Sequence, residues 1–187
     1  MNCIIVHGSN STEKGSKEGK TENERHWKPW LKKELEEKGI PVSNNLYPKD
    51  WKPKYIEWKK EFEKNEINEN SVLVGHSAGG AFLVRWLSET GKKIKKLILV
   101  SPGKSGKERR KSLTELYGDK TIKDVGVFVE NDIMIFTSND DIKSHIRGAY
   151  EYKDELPAKV IELKDHGHYT LGDMGTEEFP ELLKAIT

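Results

Sequence analysis

The chain has 187 residues, with 32 Lys and Arg, 31 Asp and Glu, and a formal net charge of +1. This length suits one ordinary domain, which we expect to span residues 1–187. The balanced charge excludes a strongly basic nucleic-acid binder and an acidic solvating tail. The single cysteine, Cys3, excludes an intramolecular disulfide and a cysteine-rich zinc site. No apolar run approaches the ~20 residues that span a bilayer, and the first residues lack a signal-peptide pattern. We therefore expect a cytoplasmic protein that binds neither membrane nor nucleic acid.

Short apolar runs alternate with helical patterns along the chain. In chain order they predict a strand over 3–6, a polar mobile loop over 10–21, a helix over 23–38, a helix from Pro53 through Phe62, a strand over 72–74, a helix over 81–87, strands over 97–100, 133–136 and 160–163, and a closing helix over 179–186. Near-continuous apolar strands separated by helices are typical of a parallel sheet covered on both faces. The predicted fold class is therefore α/β, with a doubly wound sheet.

A serine follows the second predicted strand in a special sequence context. Residues 75–79 read Gly-His-Ser-Ala-Gly, which matches G-x-S-x-G, directly after a strand and directly before a helix. This strand–turn–helix setting is the nucleophile elbow, in which a sharp turn exposes the serine hydroxyl above the sheet edge. The context favours Ser77 as a nucleophile over an incidental serine in a tight turn.

A nucleophilic serine needs a histidine base and an acid that orients the base. On this fold the chain order is serine, acid, histidine, and both partners follow later strands. Asp140 and Asp141 come after the strand over 133–136, and the spacing leaves the choice between them open. His166 and His168 come after the strand over 160–163. His168 is preferred because the preceding glycine lets its loop approach Ser77.

Two backbone N–H groups are expected to stabilise the oxyanion that forms during attack on a carbonyl. One belongs to Ala78, the residue after the nucleophile. The other should come from the loop after an early strand. Residues 7–10, His-Gly-Ser-Asn, fit this requirement, with the Ser9 N–H as the favoured donor.

Other features carry weaker predictions. Trp51 lies in a predicted loop and is the best tryptophan candidate for lining a substrate pocket. The basic run from Lys104 to Lys111 is interpreted as a solvated surface. Asp165, His166 and His168 form only a weak metal-binding pattern, because a third clear ligand is missing. We therefore expect no metal and no cofactor.

Taken together, these motifs resemble the small serine hydrolases related to retinoblastoma-binding protein 9. The resemblance covers nearly the whole chain and is carried by His7-Gly8-Ser9, Trp27-x-x-Trp30-Leu31, Gly75-His76-Ser77-Ala78-Gly79-Gly80, Ser138-x-Asp140-Asp141 and Gly167-His168-Tyr169. It implies a three-layer α/β-hydrolase fold without a large cap domain. It also implies that Asp141 is the acid and His168 the base. Residues 142–145, Ile-Lys-Ser-His, depart from the proline-containing turn common in that family, so Asp140 is kept as an alternative.

The predicted function is hydrolysis of small ester or amide substrates, peptides included, through an acyl-enzyme on Ser77. His168 takes the Ser77 proton and Asp141 holds the imidazole. The alternative is a binding protein on a hydrolase scaffold with weak or no turnover. The sequence offers no support for a protein partner.

Overall fold

A computed structural model describes residues 1–18, 26–104, 113–117 and 122–187. The strands are β1 (Asn2–Val6), β2 (Val42–Ser43), β3 (Ser71–His76), β4 (Lys96–Val100), β5 (Ile133–Ser138) and β6 (Ala158–Leu163). The helices are α1 (Glu13–Glu18), α2 (Trp27–Glu37), α3 (Tyr55–Phe62), α4 (Ala78–Thr90), α5 (Thr114–Tyr117), α6 (Lys143–Glu155), α7 (Leu171–Met174) and α8 (Pro180–Ile186), with a 3-10 helix over Lys123–Phe128.

The strands form one six-stranded sheet in the order β2-β1-β3-β4-β5-β6, and every neighbouring pair is parallel. The predicted α/β fold class is confirmed, and the five predicted strands are all present. The edge strand β2 was not predicted, because two residues are too short to show an alternating or continuous apolar pattern.

Helices cover both faces of the sheet, and each face has its own apolar core. Ile4 and Val6 of β1 point into the core formed with α3, α4 and α6. Cys3 and Ile5 point to the opposite core, formed with α2 and α8. This alternation follows from the two-residue period of a strand, and the result is a three-layer arrangement.

The direction in which the chain adds successive strands to the sheet reverses between β1 and β3. From β1 the chain moves outward to β2, and after β3 it moves the other way through β4, β5 and β6. In open parallel sheets, ligands bind at such a switch point, beyond the carboxyl ends of the strands. The residues that follow β1 and β3, including Ser9 and Ser77, lie at this switch point.

The structure corrects the predicted loop over 10–21. Residues 13–18 form helix α1, and the Gly15 N–H donates to Thr12 Oγ1 at 3.0 Å. A threonine at this position caps a helix start, and Glu13 in the first turn favours it further. Residues 19–25, which include the end of that loop and the predicted start of the α2 helix, lie outside the described residues.

Helix α6 was also missed. Its buried residues are Gly148, Ala149 and Tyr152, which make too sparse an apolar stripe to be seen in the sequence. The described segments between strands form no separate large cap domain. Within those segments, no helix is both long and apolar enough to cross a bilayer.

Candidate active site

Ser77 lies in the turn between β3 and α4 with an unusual backbone conformation. Its φ is 52° and its ψ is −118°, a region that non-glycine residues rarely adopt. The Ser77 N–H donates to the Val100 carbonyl oxygen at 2.9 Å, which ties the turn to β4. A side chain at Gly79 would place its Cβ 2.3 Å from the Val6 carbonyl oxygen. The glycine is therefore required for α4 to begin against the end of β1.

His168 contacts the Ser77 hydroxyl directly. Its Nε2 lies 3.1 Å from Ser77 Oγ, within hydrogen-bond distance. The His168 backbone is held on both sides: its N–H donates to Asp173 Oδ2 at 3.1 Å, and its carbonyl oxygen accepts from His76 Nε2 at 2.8 Å. Gly167 precedes it with a φ of 48°, in the left-handed region that favours glycine.

Asp141 and Asp140 have different contacts, although they are adjacent. Asp141 Oδ1 lies 3.1 Å from His168 Nδ1, and the Asp141 side chain is fully buried. Asp140 Oδ1 instead accepts hydrogen bonds from the Ser138 hydroxyl at 2.5 Å and the Gly167 N–H at 2.9 Å. The structure therefore brings Asp141 to His168, while Asp140 anchors the loop that carries His168.

The surroundings of Asp141 favour its ionised form. Burial by itself would raise the pKa of this carboxyl group. The hydrogen bond and charge attraction of His168 outweigh burial, together with hydrogen bonds from Ser101 and the Ile142 N–H, so the pKa lies below its ordinary 3.8. An ionised carboxylate can only accept hydrogen bonds, so Nδ1 of His168 carries the proton that points to Asp141.

The two predicted oxyanion donors lie on neighbouring elements. Ala78 is the first residue of α4, where backbone N–H groups have no partner within the helix. Ser9 is half-buried in the segment after β1, next to β3 in the sheet. The His7 ring fixes this segment, because its Nδ1 donates to the Gly8 carbonyl at 2.6 Å and its Nε2 accepts the Tyr47 N–H at 2.9 Å.

Sequence reasoning missed three residues around His168. His76 holds the His168 carbonyl, as described above. Ser101 Oγ lies 2.7 Å from His168 Nδ1 and 2.5 Å from Asp141 Oδ2. The His145 ring centroid is 4.4 Å from that of His168. No sequence signal singles out Ser101, because its place near Ser77 follows from the pairing of β3 with β4 in the sheet.

The remaining predicted residues fall away from these contacts. His166 is half-buried, with Nδ1 donating to the Lys164 carbonyl at 2.6 Å. Trp51 is half-buried in the turn after Asp50, and Asp50 accepts a hydrogen bond from Asn10, beside Ser9. A pocket role for Trp51 stays a prediction.

Of the predicted basic run from Lys104 to Lys111, the structure describes only Lys104. Lys104 pairs with Glu155 at 2.5 Å. The rest of the predicted run, up to Lys111, lies outside the described residues.

Among the described residues, one group of histidines and carboxylates is close enough together to be considered as a metal site. The group whose ligand atoms all lie within 4.8 Å of one another is Asp141, His145 and His168. This differs from the weak pattern of Asp165, His166 and His168 noted in the sequence. Asp141 and His168 already bond to each other and to Ser101 through the atoms that a metal would need.

A parallel sheet with a strained serine turn and an imidazole above its carboxyl edge is the architecture of the α/β-hydrolases. More specifically, the chain belongs to the family described as Serine hydrolase, whose sequence model matches residues 15–187. No curated protein matches the sequence closely enough to be counted as a relative.

Solved structures share the fold at low sequence identity. The ydeN gene product from B. subtilis matches with a TM-score of 0.81 and 21% identity, over 99% of this chain and 96% of that chain. Est1E from Butyrivibrio proteoclasticus, solved with ferulic acid bound, matches with a TM-score of 0.64 and 14% identity, over 98% and 85%. The carboxylesterase CesB (YbfK) from Bacillus subtilis matches with a TM-score of 0.53 and 13% identity, over 98% and 81%. These matches establish the fold.

Proposed function

We propose that the protein hydrolyses small carboxylic esters through an acyl-enzyme on Ser77. The observation that carries the proposal is the continuous path from Ser77 Oγ to His168 Nε2 at 3.1 Å and from His168 Nδ1 to Asp141 Oδ1 at 3.1 Å. Such a site is identified by the spatial arrangement of nucleophile, base and orienting acid, and not by where these residues stand in the sequence.

In the first half-reaction, Ser77 Oγ attacks the substrate carbonyl carbon while its proton moves to His168 Nε2. The carbonyl oxygen becomes an oxyanion, and the N–H groups of Ala78 and Ser9 donate to it. Asp141 stabilises the imidazolium through Nδ1–H. The carbon–oxygen bond to the leaving alcohol then breaks, and the alcohol leaves with the proton from Nε2.

In the second half-reaction, a water molecule replaces the alcohol. His168 takes one proton from the water as its oxygen attacks the acyl carbon. The tetrahedral intermediate then collapses, and Ser77 regains its proton from His168 while the carboxylic acid departs. Apart from the substrate and this water molecule, the steps use side chains and backbone groups of this chain.

The choice of an ester as the substrate class rests on three supports. The chain is a member of the serine hydrolase family. The neighbours in fold include a carboxylesterase, CesB, and an Est1E structure with ferulic acid bound. The resemblance to the small hydrolases related to retinoblastoma-binding protein 9 favours a small substrate. Amides, including aminoacyl amides, are a second substrate class for the same machinery, because Nε2–H also protonates an amine leaving group.

The test is a panel of p-nitrophenyl esters of increasing acyl length together with aminoacyl amides. We expect the wild type to hydrolyse at least the short esters, and Ser77→Ala to lose turnover while keeping its thermal unfolding transition. Ser71→Ala is a matched control, because Ser71 is also a buried, hydrogen-bonded serine but lies at the amino end of β3, away from His168. A folded wild type without turnover on the whole panel would favour a binding role on a hydrolase scaffold.

A further inference from the structure

A second serine lies between the acid and the base of the site. Ser101 follows β4, and its Oγ is 2.5 Å from Asp141 Oδ2 and 2.7 Å from His168 Nδ1. We propose that Ser101 is a positioning residue, whose hydroxyl fixes the Asp141 carboxylate and the His168 imidazole in one relative orientation. The inference deepens the proposed function and rests on it.

The directions of these hydrogen bonds follow from a count of protons. Ionised Asp141 can only accept, so the single hydroxyl proton of Ser101 goes to Asp141 Oδ2. The Ser101 oxygen must then accept from His168 Nδ1–H. That N–H is shared between Ser101 Oγ at 2.7 Å and Asp141 Oδ1 at 3.1 Å. The arrangement selects the tautomer with a bare Nε2, which is the one able to take the Ser77 proton.

The backbone of Ser101 supports a specific role for its side chain. Its φ is 44°, in the left-handed region, and the residue is fully buried. Its N–H donates to the Phe136 carbonyl oxygen at 2.8 Å, which holds the strained conformation in place. A glycine would adopt this conformation without strain, but it would leave the Asp141 oxygen and the His168 N–H without the hydroxyl.

The effect on the reaction should appear in kcat. When His168 takes the Ser77 proton, the imidazole becomes positively charged, and hydrogen bonds accepted from a charged donor are stronger than those from a neutral one. The Ser101 oxygen therefore stabilises the transition state more than the substrate complex. An interaction of this kind lowers kcat when it is lost and leaves KM nearly unchanged.

Two substitutions separate the hydroxyl from the backbone. Ser101→Ala removes the hydroxyl and keeps the strained Cβ, while Ser101→Gly removes both. We expect each to lower kcat about tenfold to a hundredfold, with KM within about twofold of the wild type. Ser101→Gly should nevertheless melt at a higher temperature than Ser101→Ala, because glycine relieves the strain. Ser71→Ala is the control, because Ser71 is also fully buried and hydrogen-bonded but lies at the amino end of β3.

Two results would overturn the inference. In the first, Ser101→Gly regains wild-type kcat along with stability, which would make the role of Ser101 purely structural. In the second, the low-field proton NMR resonance of the His168 Nδ1–H is the same in Ser101→Ala as in the wild type. The NMR measurement needs no turnover, so it still decides the inference if the wild type hydrolyses none of the esters. A wild type that hydrolyses none of the esters would refute the proposed function but not the role of Ser101.

Discussion

Replacing Asp141 with asparagine should change which nitrogen of His168 carries the proton. The carboxylate accepts three hydrogen bonds: from His168 Nδ1 at 3.1 Å, from Ser101 Oγ at 2.5 Å and from the Ile142 N–H at 2.6 Å. Asparagine at this position keeps the Oδ1 acceptor for Ile142 and His168 but places an NH₂ group against the oxygen of Ser101, which is the nearer of the two partners of His168 Nδ1. The amide then donates to Ser101, and the Ser101 hydroxyl proton turns toward His168 Nδ1.

That reversal leaves Nδ1 as an acceptor and puts the imidazole proton on Nε2. A protonated Nε2 cannot take the Ser77 proton, so the base is in the wrong tautomer. In serine proteases a wrong tautomer costs about 10⁴-fold in kcat, and we expect Asp141→Asn to lose about 10³–10⁴-fold here. Asp140→Asn should stay within about threefold, because the asparagine carbonyl can still accept from the Gly167 N–H.

The assay is steady-state hydrolysis of p-nitrophenyl acetate by the two variants and the wild type, with thermal melts to verify folding. The pair is matched, since each variant replaces one carboxylate by an amide of the same shape at adjacent positions. The reasoning is refuted if Asp141→Asn retains more than about a tenth of the wild-type kcat. It is also refuted if Asp140→Asn is the more damaged variant, which would make Asp140 the acid.

Three further predictions concern stability and reactivity. Gly79→Ala should destabilise the fold by about 3 kcal/mol or more in chemical denaturation, because its Cβ would lie 2.3 Å from the Val6 carbonyl oxygen. The control Gly172→Ala, whose Cβ would lie 3.8 Å from its nearest neighbour, should change the free energy of unfolding by less than about 1 kcal/mol. Equal effects of the two substitutions would contradict the packing argument. Burial raises the pKa of the Cys3 thiol to about 12, so Cys3 should not react with a disulfide reagent at pH 8 until the protein unfolds, and rapid labelling of the native protein would contradict this. The lowered pKa of Asp141 means that its stabilising contribution is complete above the unfolded value of about 3.8 and is lost as the pH falls through the lower folded value. The stability difference between wild type and Asp141→Asn should thus be larger at pH 6 than at pH 3, and a difference that grows on acidification would contradict it.

Most of the sheet was predictable because its central strands, β1, β3, β4 and β5, are buried on both faces. The run from Cys3 to Val6 and its counterparts in β3, β4 and β5 contain almost only apolar residues, which a sequence displays directly. Helix α6 was not predictable in the same way. This helix packs on one face of the sheet with only three buried residues, so most of its sequence is polar and shows no helical apolar pattern. The two-residue strand β2 has too few residues for any pattern.

The site was predictable where the chemistry restricts residue types. Ser77, the pair of Asp140 and Asp141, and His168 follow strand ends in the order that the fold requires, and only the family resemblance favoured Asp141 over Asp140. The side chains of Ser77, Asp141 and His168 are in contact in the structure. Ser101 and His76 were not found, because a serine just after a strand, or a histidine at the last position of one, has many possible roles. Their roles depend on which strands are neighbours in the sheet, and that information appears only in three dimensions.

Covalent labelling tests the central claim most directly, because it asks whether the Ser77 oxygen is an activated nucleophile. The folded wild type is treated with a fluorophosphonate, and the modified residue is located by mass spectrometry of its peptides. We expect one adduct per chain on Ser77, and no adduct on His168→Ala under the same conditions. A folded wild type that remains unlabelled, or that carries the adduct on another residue, would contradict the account.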